Sequence, residues 1–95
     1  MLTSSQRAKL RGLANDKESI VQVGKDGINE NLVHALDEAL EARELVKATV
    51  LKNCDLPVRE VCHVLAAELG ADPVQVIGRK FVLYRPSKKN PVIEL

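Results

Sequence analysis

Two periodicities alternate along this chain of 95 residues. Apolar positions fall three and four apart in residues 4–14, where Leu10, Leu13 and Ala14 share a face, and again from residue 29, where Leu32, Val33, Leu36, Ala39 and Leu40 form one stripe. A third stripe, Val58, Val61, Cys62, Leu65 and Leu69, follows Pro57 and stops at Gly70. That spacing stacks side chains one helical turn apart, so each segment is predicted as an amphipathic helix. Asn29 suits the cap of the second helix, Pro57 the first turn of the third, where no amide partner is needed, and Gly70 the third helix's left-handed end. Between the helices the period drops to two. Residues 20–23 read as a short strand, and residues 45–52 as another, with Val46, Ala48 and Val50 on one face and Lys47, Thr49 and Leu51 on the other. Residues 74–77 and 80–85 read as a hairpin joined by Gly78-Arg79, with glycine at the first central position of a type II′ turn.

The order is thus α-β-α-β-α-β-β. Right-handed crossovers should make the first two strands parallel and set the second and third helices on one face. The expected fold is an α/β two-layer arrangement: an N-terminal helix followed by β-α-β-α-β-β, with a four-stranded mixed sheet and helices packed on one face. The other face should stay open and polar, showing Gln22, Lys47, Thr49 and Gln75 with either the Lys80, Val82 and Tyr84 set or its alternate. The acids Asp37, Glu38, Glu41 and Glu44 are expected on the solvent side of the second helix. Residues 1–87 should form a single domain, and residues 88–95 a flexible tail, with mobility expected over residues 87–90.

Composition supports one self-sufficient core, because 45% of the chain is hydrophobic, although with no Trp, one Phe and one Tyr the aliphatic residues must fill it. The net charge of +1 hides a segregation. Residues 26–44 hold six acids against one arginine, whereas residues 79–89 hold five bases and no acid. Such asymmetry is the footprint of a nucleic-acid-binding face on a protein that is neutral overall.

Against that background the turn Gly24-Lys25-Asp26-Gly27 stands out, since it joins the first strand to the second helix. Two residues without Cβ let a ligand approach the backbone, the helix N-terminus beyond presents free N–H groups, and Lys25 adds a full charge that Asp26 offsets. KH-type domains clamp a sugar-phosphate backbone with a Gly-x-x-Gly loop of this kind. A turn that only reverses the chain has the same sequence.

Other chemistry is excluded by what the chain lacks. Cys54 and Cys62 form no CxxC pair, and with His34 and His63 they give no zinc spacing; both histidines fall off the apolar stripes, and Cys62 falls in step with the core. No nucleophile with a base, carboxylate pair or metal set is legible, so neither an enzyme nor a cofactor is expected, and no small-molecule substrate. No run approaches membrane-spanning length, and two unpaired cysteines fit a reducing cytoplasm. A charged surface without a long apolar patch points to a monomer. With Tyr84 nearly alone among aromatics, contacts to a nucleic-acid backbone must outweigh base stacking.

Several segments together resemble a known family. Leu2-Thr3 through Arg7, Leu10-Arg11 and Ala14, then residues 23–27, Glu44-Leu45-Val46-Lys47, residues 74–79 and Leu83-Tyr84-Arg85-Pro86 look like a CRM domain (chloroplast RNA splicing and ribosome maturation), and more closely its free-standing bacterial form of the YhbY type. Arg43 stands where members often have His, and Asn29 where Thr or Ser is common. The resemblance implies a fold similar to the C-terminal domain of a bacterial translation initiation factor, and binding to ribosomal RNA in precursors of the large ribosomal subunit, whose assembly the protein would assist. Carried over, the Gly-x-x-Gly loop falls on Gly24, Lys25, Asp26 and Gly27, the basic first helix on Arg7 and Arg11, and the late basic elements on Gly78-Arg79 and Tyr84-Arg85-Pro86. Lys47 on the open face completes the expected RNA-contacting set of Gly24, Lys25, Asp26, Gly27, Arg7, Arg11, Lys47, Arg79 and Arg85. Arg79 and Arg85 could instead pair with helix acids. The competing expectation is a protein-interaction module, docking on a ribosomal protein or assembly factor through its acidic second helix.

Overall fold

Residues 2–95 are described by a computed structural model. Seven elements follow one another: α1 Ser4–Ala14, β1 Ser19–Val23, α2 Glu30–Arg43, β2 Leu45–Val50, α3 Val58–Leu69, β3 Asp72–Ile77 and β4 Lys80–Tyr84. The helix starts are chemically specified. The Thr3 hydroxyl accepts from the Gln6 amide at 3.1 Å while the Gln6 side chain accepts from the Thr3 amide at 3.0 Å, and Asn29 Oδ1 accepts from the Leu32 amide at 2.8 Å. Gly70 ends α3 with φ of +63°, and Gly78 opens the hairpin turn at +58° while Arg79 keeps a negative φ, as a type II′ turn requires.

The strands lie in the order β1-β2-β4-β3, with β1 parallel to β2 and the other pairs antiparallel. Because β4 lies between β2 and β3, both central strands, β2 and β4, are flanked on each side. Alternation does the rest: Val46, Ala48 and Val50 of β2 and Phe81 and Leu83 of β4 point to α2 and α3, where Leu36, Leu40, Val61, Cys62 and Leu65 close the main core.

The helices do not all pack on one face. A second, smaller core lies on the opposite side, where Leu10 and Ala14 of α1 cover Leu45, Val82, Tyr84 and Val74. The reason is the other half of the alternation: Leu45, Val82 and Tyr84 are apolar too, and leaving three such side chains in water would forgo roughly 1.5–3 kcal/mol each. A register irregularity between Pro73 and Gln75 brings Val74 into this second core. Leu13, expected beside Leu10, is 44% exposed, because the seam that fits the sheet is the narrower Leu10–Ala14 pair. The polar face is therefore open only at one end, where Gln22, Thr49 and Lys80 stand opposite one another across three strands.

The C-terminal segment is also not a free tail. Glu44, expected on the solvent side of α2, is fully buried at its C-cap with φ of 65°, and its carboxylate accepts from the amides of Ser87 at 2.7 Å and of Val92 and Ile93 at 2.8 Å each. Glu41 accepts from the Ser87 hydroxyl and the Lys88 and Lys89 amides. Ile93 packs against the second core. An acid that looks solvent-facing by helical spacing is captured because its helix ends there and the returning chain supplies unpaired N–H groups.

Candidate nucleic-acid interface

Parallel pairing puts the C-terminal ends of β1 and β2 side by side, and the antiparallel hairpin brings its turn to the same end. The glycine loop forms a tight turn there, with the Gly27 amide donating to the Gly24 carbonyl at 3.0 Å and Gly27 at φ of +63°. A Cβ at Gly24 would sit 3.6 Å from the side chains of Leu51 and Asn53, an ordinary contact, so nothing within the free protein forbids alanine at that position. Gly27 is different, since its left-handed backbone disfavours any L side chain. An open cleft of about 420 Å³ borders the loop, lined by Gln22, Gly24, Lys25, Gly27, Asn29 and Asn31 among others. Lys25 and Asp26 are both exposed.

Beside this loop runs the β2–α3 connection, tied to β1 by the Leu51 amide donating to the Val23 carbonyl at 2.8 Å. Arg79 staples the hairpin to it: Nε donates to the Val50 carbonyl at 2.8 Å and Nη2 to the Leu51 carbonyl at 2.6 Å. These partners are neutral, so the residue holds two loops together and keeps its positive charge at an exposed position. Two cations absent from the expected set join it. Lys52 lies in the turn after β2 and Lys80 opens β4 opposite Thr49, both exposed. The signal for them was present in the chain, since each is the first lysine after a strand end or turn, but only the sheet order brings them to the same end of the sheet as Lys25.

The other expected contacts are dispersed. Lys47 lies two residues back along β2, half-buried, between Ser19 of β1 and Val82 of β4. Arg7 donates to the Pro73 carbonyl at 3.4 Å, on the far flank of the sheet, and Arg11 is exposed one turn further on. Arg85 stands at the opposite end of the sheet. Its guanidinium donates to Asp37 Oδ1 at 2.8 Å, the Asp37 carbonyl at 3.0 Å and the Leu69 carbonyl at 3.1 Å, with the side chain only 12% exposed. It thereby clasps α2 to the end of α3 and has little surface left for a ligand, which is the helix-acid pairing open to it from the sequence.

Both cysteines are withdrawn from solvent. Burial pushes the Cys62 thiol up to about 11, against a small opposing effect of Arg59, so it stays protonated and inert at neutral pH. Cys54 is buried and free as well. Among the described residues, no group of three or more His, Cys, Asp and Glu could hold a metal ion, and no helix is long and apolar enough to cross a membrane.

Comparison with known proteins fits this geometry. The chain is 45% identical over its full length to "Probable RNA-binding protein YqeI" of Bacillus subtilis, covering 99% of that protein. It is 33% identical to an "RNA-binding protein" of Haemophilus influenzae, with 93% of this chain and 89% of that one aligned. Among solved structures, the hypothetical protein SAV1595 of Staphylococcus aureus, described as an RNA-binding candidate from its solution structure, superposes with a TM-score of 0.84 at 45% identity, over 100% of this chain and 99% of the other. These relatives are named for RNA binding, none for a reaction. The model of the CRS1/YhbY (CRM) domain matches residues 2–85, which takes in every element from α1 to β4, and the chain belongs to that family.

Proposed function

We propose that this protein binds RNA through the C-terminal end of its sheet, and that its target is ribosomal RNA in precursors of the large ribosomal subunit, whose assembly it assists as a cytoplasmic monomer. The observation that carries the reading is the convergence of Lys25, Lys52, Arg79 and Lys80 around a glycine turn at a helix N-terminus. The names of the relatives support RNA as the ligand; the ribosomal target rests on the family resemblance. Gly24 and Gly27 would let the sugar-phosphate backbone approach, and Lys25 would neutralise one phosphate, its charge partly offset by Asp26 in the same loop. Lys47 and Arg11 would add outer contacts. No aromatic platform is at hand, so affinity would come from phosphate contacts and be steeply salt-dependent.

The test is a salt titration of binding to single-stranded RNA. Lys25→Ala is expected to weaken binding alike for many sequences and to lower the slope of log K against log salt by about 0.7, one phosphate's worth for a single strand. An unchanged slope removes Lys25 from the interface. For the target, sedimentation of cell lysate should place the protein with particles lighter than the mature large subunit, released as salt rises; sedimentation only as free protein at low salt would sink the ribosomal reading.

The competing reading has one observation in its favour. A cleft of about 440 Å³ between α2 and α3 is lined by Ile28, Val33 and Val64 and rimmed by Glu30 and Glu68, a fit for a basic protein segment with an apolar anchor. Binding there would fall less steeply with salt than a set of phosphate contacts and would be unchanged in Lys25→Ala, which separates the two.

A further inference from the structure

Three basic side chains outside the glycine-loop end meet at the outer flank of β3. Arg59 and His63 stand one turn apart on α3 and so leave the helix from one face. Arg7 reaches the same place from α1, on the other side of the sheet, and the three line a shallow cleft of about 200 Å³ whose floor is residues 73–76. The Pro73 carbonyl engages Arg7 only through Nε. Among the described residues neither arginine has a carboxylate within ion-pair distance, and Arg59 and His63 are exposed. Two unpaired guanidinium forks converging from opposite faces of a sheet match an anion with several acceptor oxygens.

We propose that this flank is a second phosphodiester site, in which an RNA strand held at the glycine loop continues round the end of the sheet and lays a further phosphate between Arg7 and Arg59, with His63 beside it. The inference rests on the RNA-binding reading. The path exists because β2 delivers the chain to α3 at the same end as the glycine loop, so Arg59 in the first turn of α3 lies near that end. Three strand spacings of about 4.8 Å separate β1 from β3, roughly 14 Å across the sheet. The run along β3 from the hairpin end back to Pro73 adds up to about 13 Å at right angles to this, together about 20 Å, which a strand of a few nucleotides spans. Lys52, Arg79 and Lys80 lie between the two sites.

The experiment is the same salt titration with a single-stranded RNA of about twelve nucleotides, applied to wild type, Arg59→Gln, Lys25→Ala and the double variant, with urea unfolding as a control. Arg59 is exposed and makes no hydrogen bond that holds the fold, so Arg59→Gln should leave the unfolding midpoint in place. The expected result is a slope reduced by about 0.7 in each single variant and by about twice that in the double. Wild-type affinity and slope in Arg59→Gln, with Lys25→Ala still weakened, would overturn the flank site, keep the loop, and leave the two arginines as guards of an edge strand against self-pairing. The reverse pattern would keep the flank and overturn the loop. Absence of RNA binding by the wild-type protein overturns both.

Discussion

Glu44 combines a positive φ of 65° with complete burial and a charged side chain, three features that each disfavour the folded state when taken alone. Three amide donors within 2.8 Å reverse the balance, because a carboxylate so surrounded keeps its charge without water. Glu44→Gln keeps the shape and loses the double acceptor: its amide nitrogen must face another N–H. We expect a loss of about 1–3 kcal/mol in urea unfolding, with faster hydrogen exchange at Val92 and Ile93. The glycines divide in the same way. Gly27→Ala forces an L side chain into a left-handed backbone and should destabilise the fold by about 1–2 kcal/mol. Gly24→Ala meets only ordinary contacts, so it should leave the unfolding midpoint within about 0.5 kcal/mol of wild type and lower RNA affinity, because the added methyl stands where a backbone would approach. Equal RNA affinity for Gly24→Ala and wild type would mean that the ligand does not come close there. At this scale the Gly-x-x-Gly pattern marked both glycines, whereas helical spacing misread Glu44, since whether a terminal acid faces water depends on where the chain returns.

Among the elements, the two late arginines show how one residue type takes opposite tasks. Arg79 lies in a hairpin turn whose neighbours are carbonyl oxygens, so its charge remains available; Arg85 follows β4 into the seam between α2 and α3 and meets Asp37. The pair is unequal, with Arg85 12% and Asp37 55% exposed, so the arginine end matters more. Arg85→Ala should cost about 2 kcal/mol through lost charged hydrogen bonds to Asp37 and Leu69, whereas Asp37→Asn should cost under about 1 kcal/mol. Neither should change the salt slope of RNA binding, and a reduced slope in Arg85→Ala would return that residue to the interface. The hairpin, its turn type and all three helices were legible as elements because period and punctuation agree locally. The placement of α1 was not: its Leu10–Ala14 seam fits either face of a sheet, and the apolar residues Leu45, Val82 and Tyr84 on the second face decided it.

For the whole molecule, the acids of α2 and the bases of the C-terminal segment are segregated in sequence yet partly joined in space. The radius of gyration of 12.4 Å equals what a compact chain of this length should have, about 12 Å, consistent with a docked C-terminal segment. That docking is pH-linked. The Ser87 hydroxyl and the Lys88 amide hold the Glu41 carboxyl down to about 2 from 4.5; for Glu44, burial pushes up, but the amides of Ser87, Ile93 and Val92 outweigh it and leave the group below its ordinary value. Both folded values are depressed, so below the ordinary carboxylate value the folded state binds fewer protons than the unfolded one. The stabilisation is therefore present above about pH 4.5 and is lost as pH falls, for Glu41 towards about 2. Urea midpoints should fall from pH 5 to pH 3, and Glu41→Gln should flatten that fall; an equal fall in the variant would remove Glu41 as a source. The sequence alone determined the elements, their order, the mixed sheet and the glycine turn between β1 and α2, because periodicity, caps and turn residues act within a few positions. Tertiary structure alone decided which face α1 covers, that Glu44 is buried, that the C-terminal segment docks, and that Lys52 and Lys80 stand at the same end of the sheet as Lys25, because each depends on which distant segments the strand order makes neighbours.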